Sequence, residues 1–361
     1  MKYLKPHSYI VSFILLLIAI AVPASPQSQV MEVKVHSRGL ENNLLGDSAD
    51  QVVGIYLPAA YTNKPGQCFP TVYFLHGFAD TPAKKVAEIL QKIMDRLIDS
   101  RTVEPMIVVA PNGLNRYLGS FYANSIVTGN WEDFIVRDVV GYVDSHYRTL
   151  ASSDARGISG HSMGGYGSLM LAFKHPDVFS NVYAMSPCCT VLEGDLGSAS
   201  PAWARAEKVK SAAELTELLS KDFMVAVAVA MDAALAPDPK KLPLMGDSPF
   251  RIQDKHQVPN PDVFPKFQAQ IVSGAIPSLL PKIYQLKGIY IDYGAEDNFS
   301  HIPLGARTIS AQLADAGVPH VLEVYDGDHG SHVVDQAETR MLPWFSRQLK
   351  HGSNGACGIR K

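Results

Sequence analysis

Apolar and polar positions along the chain follow two alternating periods. Short β-branched or apolar runs at residues 31–35 and 51–57 predict two antiparallel strands joined by a turn at Gly46-Asp47-Ser48. Further runs at 71–75, 106–110, 157–159, 181–185, 287–293 and 320–325 are mostly apolar, as strands buried on both faces must be. Between them the spacing becomes helical. Val86, Ile89, Leu90, Ile93, Met94, Leu97 and Ile98 make one stripe within 83–100, and helices are also expected from 131 through Val143, after residue 162, over 302–316 and over 333–349. Strands alternating with helices predict an α/β fold with a mostly parallel central sheet and helices on both faces.

Two stretches break the rhythm. Residues 114–130 are polar and aromatic without a period and read as a long functional loop. Residues 191–281 hold no convincing strand and are too long for a simple connection. They carry a charged helical run near 211–221, the apolar run 223–231 and a Pro-rich passage to Phe250, and are expected to form a helical lid over the carboxyl ends of the strands. The apolar run reads at least as well as a buried helix in the lid's own core as it does as a direct substrate contact.

Composition narrows the class. The 361 residues are 47% hydrophobic with a formal net charge of −3, enough for a sizeable core and with no basic run for nucleic acid. Lys2 and Lys5 precede an apolar run at 9–22 and then Val22-Pro23-Ala24-Ser25, the pattern of a secretory signal peptide cut near Ala24. That run is shorter than the roughly 20 residues of a membrane-spanning helix, so export without stable membrane insertion is expected. The remainder reads as one domain over 25–350 with a flexible tail at 351–361. Among Cys68, Cys188, Cys189 and Cys357, a bond between the adjacent pair would be strained, so one of them pairing with Cys68 or Cys357 is expected. No Cys/His spacing points to a metal, and no motif calls for a cofactor.

The chemistry gathers around Gly160-His161-Ser162-Met163-Gly164. A short strand enters this stretch and an apolar helix leaves it, so Ser162 sits at the sharp turn of a nucleophile elbow, with Gly160, Gly164 and Gly165 where neighbouring chain must approach closely. A serine hydroxyl needs a histidine to take its proton and a carboxylate to orient that histidine. Asp297 lies on the loop after the strand ending at Tyr293, better placed than Asp292 inside the strand or Glu296 one step early. His329 lies in the loop after the last strand and is preferred to His332, which begins the final helix. The oxyanion donors expected are the backbone N–H groups of Met163 and, after the third strand, Phe78. His76 and His161 read as packed, hydrogen-bonded histidines.

These residues resemble the putative-esterase branch of the α/β-hydrolases, which includes esterase D or S-formylglutathione hydrolases, feruloyl and acetylxylan esterases, and mycolyltransferases. The resemblance spans about 31–349. It is carried by Leu75-His76-Gly77, Pro111-Asn112-Gly113, the Tyr122 to Asn124 loop with Trp131-Glu132-Asp133-Phe134, the elbow through Gly167, His175-Pro176-Asp177-Val178-Phe179, the segment from Tyr293 to Asp297, and Gly327-Asp328-His329. It implies an α/β-hydrolase fold and hydrolysis of a small-molecule or saccharide-linked carboxylic ester through an acyl-enzyme on Ser162, with Asp297 and His329 at the acid and base positions and no cofactor. Tyr122, Asn124 and Trp131 are the candidate substrate contacts. Two departures stand out: Gly330-Ser331-His332 replaces the family's aromatic pair after the histidine, and the long insertion with the export signal argues against S-formylglutathione as substrate. Transfer of the acyl group to a sugar or other alcohol is the alternative reaction, and a non-catalytic binding protein on the same fold is a third reading.

Overall fold

The computed structural model describes residues 27–80, 82–352 and 357. The expected signal peptide therefore lies outside the described residues. In chain order the strands are β1 Gln29–His36, β2 Asp50–Leu57, β3 Thr71–Leu75, β4 Ile107–Pro111, β5 Asn124–Ser125, β6 Gly129–Asn130, β7 Arg156–His161, β8 Asn181–Met185, β9 Phe250–Gln253, β10 His256–Pro259, β11 Gly288–Gly294 and β12 Val321–Tyr325. Eight of them form one sheet in the order β1-β2-β4-β3-β7-β8-β11-β12. β2 runs antiparallel to both β1 and β4, and every later pairing is parallel.

Two cores follow from the period-2 alternation of the strands. Tyr56, Val72, Phe74 and Val108 pack with helices Ala83–Asp99 and Leu342–Gln348 on one face. Their neighbours Ile55, Tyr73, Leu75 and Val109 pack with Met163–Lys174 and His301–Asp315 on the other. A third helical run on this second face, 131–146, takes π geometry over Phe134–Val139. Asn130, which precedes that run, makes no side-chain cap bond; Asn124 Oδ1 instead accepts the Asp133 N–H at 3.1 Å.

The 191–281 segment contains helices Pro201–Ala206, Ala212–Lys221, Phe223–Leu235, Phe264–Gln270 and Val272–Ile283. It also contains the β9–β10 hairpin, which the sequence reading missed. The reason is local: its turn residues Asp254 and Lys255 both take positive φ without a glycine to announce it, and of β9 only Phe250 is buried. From Val225 to Leu235 every residue of the apolar helix is buried, so most of that run is core. Ser125 Oγ donates to Ala233 O at 2.6 Å, Tyr117 OH to Pro243 O at 2.8 Å and Tyr166 OH to Gln270 O at 2.7 Å, tying the segment to the 114–130 loop and to the elbow helix.

The disulfide expectation is corrected. Cys68 bonds Cys357, while Cys188 and Cys189 are buried free thiols. Sequence could not bring residues 289 positions apart together; the fold lays the tail beside the start of β3. Of the tail expected to be flexible, Cys357 is anchored in this way and His351 bonds Ser346 O at 2.8 Å, while 353–356 and 358–361 lie outside the described residues.

Candidate active site

Strand β7 runs at the centre of the sheet between β3 and β8, and Ser162 follows its last residue. Its backbone sits at φ 58°, ψ −115°, a conformation that costs a non-glycine residue about 1–3 kcal/mol. Surrounding bonds enforce it: Ser162 N–H donates to Met185 O at 3.0 Å, and Ser162 O accepts from the N–H groups of Tyr166 at 3.0 Å and Cys188 at 3.1 Å. The glycines serve close approach, as expected. A Cβ on Gly160 would stand 2.5 Å from the Gly164 carbonyl carbon, and one on Gly164 would stand 2.0 Å from Leu75 O. Helix Met163–Lys174 can therefore start directly over the ends of β3 and β7.

The histidine loop lies against this elbow. His161 Nε2–H donates to His329 O at 2.8 Å, and the two rings are 4.5 Å apart. Burial, with the neighbouring His329 adding to it, pushes the His161 pKa down to about 4, so this ring is neutral at physiological pH. His329 Nδ1–H donates to Asp297 Oδ2 at 2.9 Å, which leaves Nε2 as the basic nitrogen. The Asp297 side chain is fully buried, and its other oxygen accepts the Phe299 N–H at 2.9 Å. Because β11 and β12 pair in parallel with Gly294 opposite Tyr325, the two loops leave the same end of the sheet side by side. His332 turns outward instead and pairs with Asp335 at 3.1 Å.

Asp292 is spoken for elsewhere. It is buried inside β11, accepting from Tyr183 OH at 2.7 Å and Ser186 N–H at 3.3 Å, and burial pushes its pKa up to about 7. A folded pKa above the ordinary 3.8 means that the native state keeps a proton which the unfolded chain gives up. Stability from this group is thus present at low pH, falls as pH rises from 3.8 to about 7, and is flat above. Asp292→Asn is expected to remove that slope, gaining stability relative to the parent by about 1.4 kcal/mol per pH unit across the window. Urea midpoints at pH 4, 5.5 and 7 check it; a difference independent of pH would refute it.

The β3 loop meets the elbow because Leu75 pairs with Gly160. Gly77 approaches until its ideal Cβ would lie 3.6 Å from Ser162 Cβ. On either side of Phe78, Gly77 N–H donates to Asp80 Oδ2 at 3.1 Å and Ala79 N–H to Leu118 O at 2.9 Å, which holds the loop around the Phe78 amide. His76 is packed as expected: Nδ1–H donates to Gly77 O at 2.8 Å and Nε2 accepts the Gly113 N–H at 2.7 Å.

The three candidate substrate contacts are placed differently. Tyr122 is 1% exposed, its hydroxyl donates to His76 O at 2.9 Å, and its ring fills the space left by Gly113 and Gly167. Trp131 is fully buried with Nε1–H on Thr128 O at 2.8 Å. Asn124 is exposed but spends its side-chain oxygen on Asp133. Their polar atoms brace the loop, because a polar aromatic side chain in a folded loop must satisfy its own hydrogen bonds first. Sequence reasoning singled out neither Phe223 nor Phe299 by itself. The Phe223 ring lies 5.6 Å from Phe78 and 5.5 Å from Phe299, whose edge meets His329 at 5.0 Å. Phe223 remains 46% exposed, unlike the rest of its helix. Its position as the first residue of the apolar run was the available signal.

Comparison with known proteins agrees with this architecture. The family described as "Putative esterase" matches residues 48–239, more than half of the chain. An esterase of Mycobacterium tuberculosis is 28% identical over 138 residues, 37% of this chain and 28% of the relative. An endo-1,4-beta-xylanase/feruloyl esterase of Xylanibacter ruminicola is 25% identical over 136 residues, 36% of this chain and 18% of the relative. The matched region thus spans under a third of these relatives' lengths. Among solved structures, a ferulic acid esterase superposes with a TM-score of 0.60 at 20% identity, covering 90% of this chain and 99% of the other. An S-formylglutathione hydrolase from Agrobacterium tumefaciens superposes with a TM-score of 0.58 at 16% identity, covering 90% and 97%. The fold is that of the α/β-hydrolases.

Proposed function

The chain belongs to the putative-esterase family, and from that premise we propose that it hydrolyses carboxylic esters through an acyl-enzyme on Ser162. The observation that carries the proposal is the strained Ser162 elbow with the Asp297–His329 pair packed on the residue before it. Asp297 holds the Nδ1–H tautomer of His329, so Nε2 takes the Ser162 proton as Oγ attacks the ester carbonyl. The N–H groups of Phe78 and Met163 receive the oxyanion, the alcohol leaves with the proton from His329, and water then repeats the sequence on the acyl-enzyme. The 191–281 segment acts as a lid, and the leader at 1–24 directs export.

The rings of Phe78, Phe223 and Phe299 support an apolar or aromatic acyl group, in keeping with the feruloyl and ferulic acid esterases among the similar proteins. Incubation with a fluorophosphonate should label Ser162 in the parent and leave Ser162→Ala unlabelled. Parent protein that neither turns over p-nitrophenyl acetate nor is labelled would refute the esterase reading. Phe223→Ala should lower kcat/KM for methyl ferulate by about 10-fold, within the range of a lost apolar pocket contact, while acetate ester turnover changes little. Equal losses on both esters would remove Phe223 from the acyl site. Product analysis with an added alcohol distinguishes hydrolysis from acyl transfer.

A further inference from the structure

Behind the elbow lies a cluster that the ester chemistry does not use. After β8 the chain turns through Ser186 at φ 39° and Cys189 at φ 58°, and this turn sends two consecutive thiols the same way. Cys188 Sγ and Cys189 Sγ are 2.7 Å apart and both residues are buried. Against them stands His301, the first residue of helix His301–Asp315 and 3% exposed. Its Nδ1–H donates to Asp195 Oδ1 at 2.6 Å, and the same oxygen accepts the His301 N–H at 3.0 Å. Its Nε2 makes no well-aligned hydrogen bond among the described residues and faces the Cys188 thiol. One ligand atom from each of Cys188, Cys189 and His301 falls within 4.8 Å of the others.

A buried imidazole nitrogen met only by a poorly aligned thiol is incompletely satisfied, which costs free energy unless a better partner takes its place. A carboxylate on Nδ1 and an open Nε2 is how proteins orient a metal-binding histidine, and two thiols beside it select a soft cation. We propose that Cys188, Cys189 and His301 form a buried site for a thiophilic d10 cation of the zinc class, with Asp195 orienting His301. A tetrahedral cation about 2.3 Å from sulfur and 2.1 Å from nitrogen separates its ligand atoms by about 3.6–3.8 Å. The two sulfurs, 2.7 Å apart here, would have to separate to about 3.8 Å, and all three ligand atoms already lie within 4.8 Å of one another. Binding a divalent cation releases the two thiol protons to solvent, and the two thiolates offset its charge. The site borders the catalytic elements: Cys188 N–H donates to Ser162 O at 3.1 Å, and Phe299 touches both His301 and His329. A bound cation therefore cross-links the elbow, the acid loop and the 194–196 turn of the insertion.

The test is titration of the purified full chain with Cd2+ under anaerobic conditions, following thiolate-to-metal absorption, with Zn2+ as competitor. Saturation at one equivalent is expected. Cys188→Ser/Cys189→Ser should abolish the band, and Asp195→Asn should weaken affinity about 10–100-fold. His301→Gln serves as a milder variant, and circular dichroism of each variant establishes that it is folded. The proposal is overturned by absence of the band in the parent, by a stoichiometry unchanged in the double cysteine variant, or by a native thiol count of zero in denaturant, which would mean that Cys188 and Cys189 are bonded to each other.

Discussion

Replacing His329 by alanine is expected to lower kcat by about four orders of magnitude or more, the scale seen when a hydrolytic triad loses its base. The Nδ1–H bond to the buried Asp297 carboxylate leaves only Nε2 to accept a proton. His161 lies nearest, but its Nε2–H is committed to His329 O and its pKa is pushed down to about 4. Ser162 labelling by a fluorophosphonate should slow in parallel, because it depends on the same proton transfer. His332→Ala is the paired control. That ring is 43% exposed and bonded to Asp335 three residues on, so kcat should stay within a few-fold of the parent. A large loss in His332→Ala with activity kept in His329→Ala would transfer the base to the other residue.

Gly164→Ala is expected to have the largest effect on the fold around the site. The new Cβ would meet Leu75 O at 2.0 Å, Leu75 C at 2.6 Å and His76 O at 2.9 Å, all backbone atoms of the central β3 strand and its exit. No rotamer change relieves a contact with backbone, so helix Met163–Lys174 must lift from the sheet or the elbow must open. Either response costs roughly 3 kcal/mol or more, the range of severe steric insertions in a packed interior. It also moves the Met163 N–H away from the proposed oxyanion position. Gly141→Ala is the control, because a Cβ there meets nothing within 4 Å and its helix should tolerate it. Thermal melts of both variants, with ester turnover at a temperature where each is folded, separate stability from geometry. A Gly164→Ala protein with the parent's melting temperature and turnover would refute the close-packing argument.

Much of the molecule is legible without coordinates. The apolar runs that became β3 and β8 were placed to the residue, since a strand buried on both faces leaves no polar position inside it to blur its ends. The elbow was legible because small residues at fixed spacing are required by backbone contact, and the close approaches at Gly160 and Gly164 are of that kind. The acid and histidine loops were legible through their order after the later strands. The preference for Asp297 over Asp292 rests on its place in the loop beyond the strand, and Asp292 inside the strand is bonded to Tyr183.

What the sequence by itself determined is therefore the alternation of strands and helices and the sharp turn at Ser162, with Asp297 and His329 as candidates on the later loops, because these follow from periodicity and backbone sterics within a few residues. What only the tertiary structure decided depends on contacts between distant segments. Tyr122 and Trp131 read as ligand contacts until their polar atoms were found bonded inside the loop. Cys357 and Cys68 each read as a partner for one of the adjacent cysteines until the fold laid the tail beside Cys68. Phe223 joined Phe78 and Phe299, and His301 joined the adjacent cysteines, across separations that no local pattern encodes. Hydrogen bonds and ring contacts are short-ranged in space and indifferent to distance along the chain, so the walls of this site became readable only once the chain was folded.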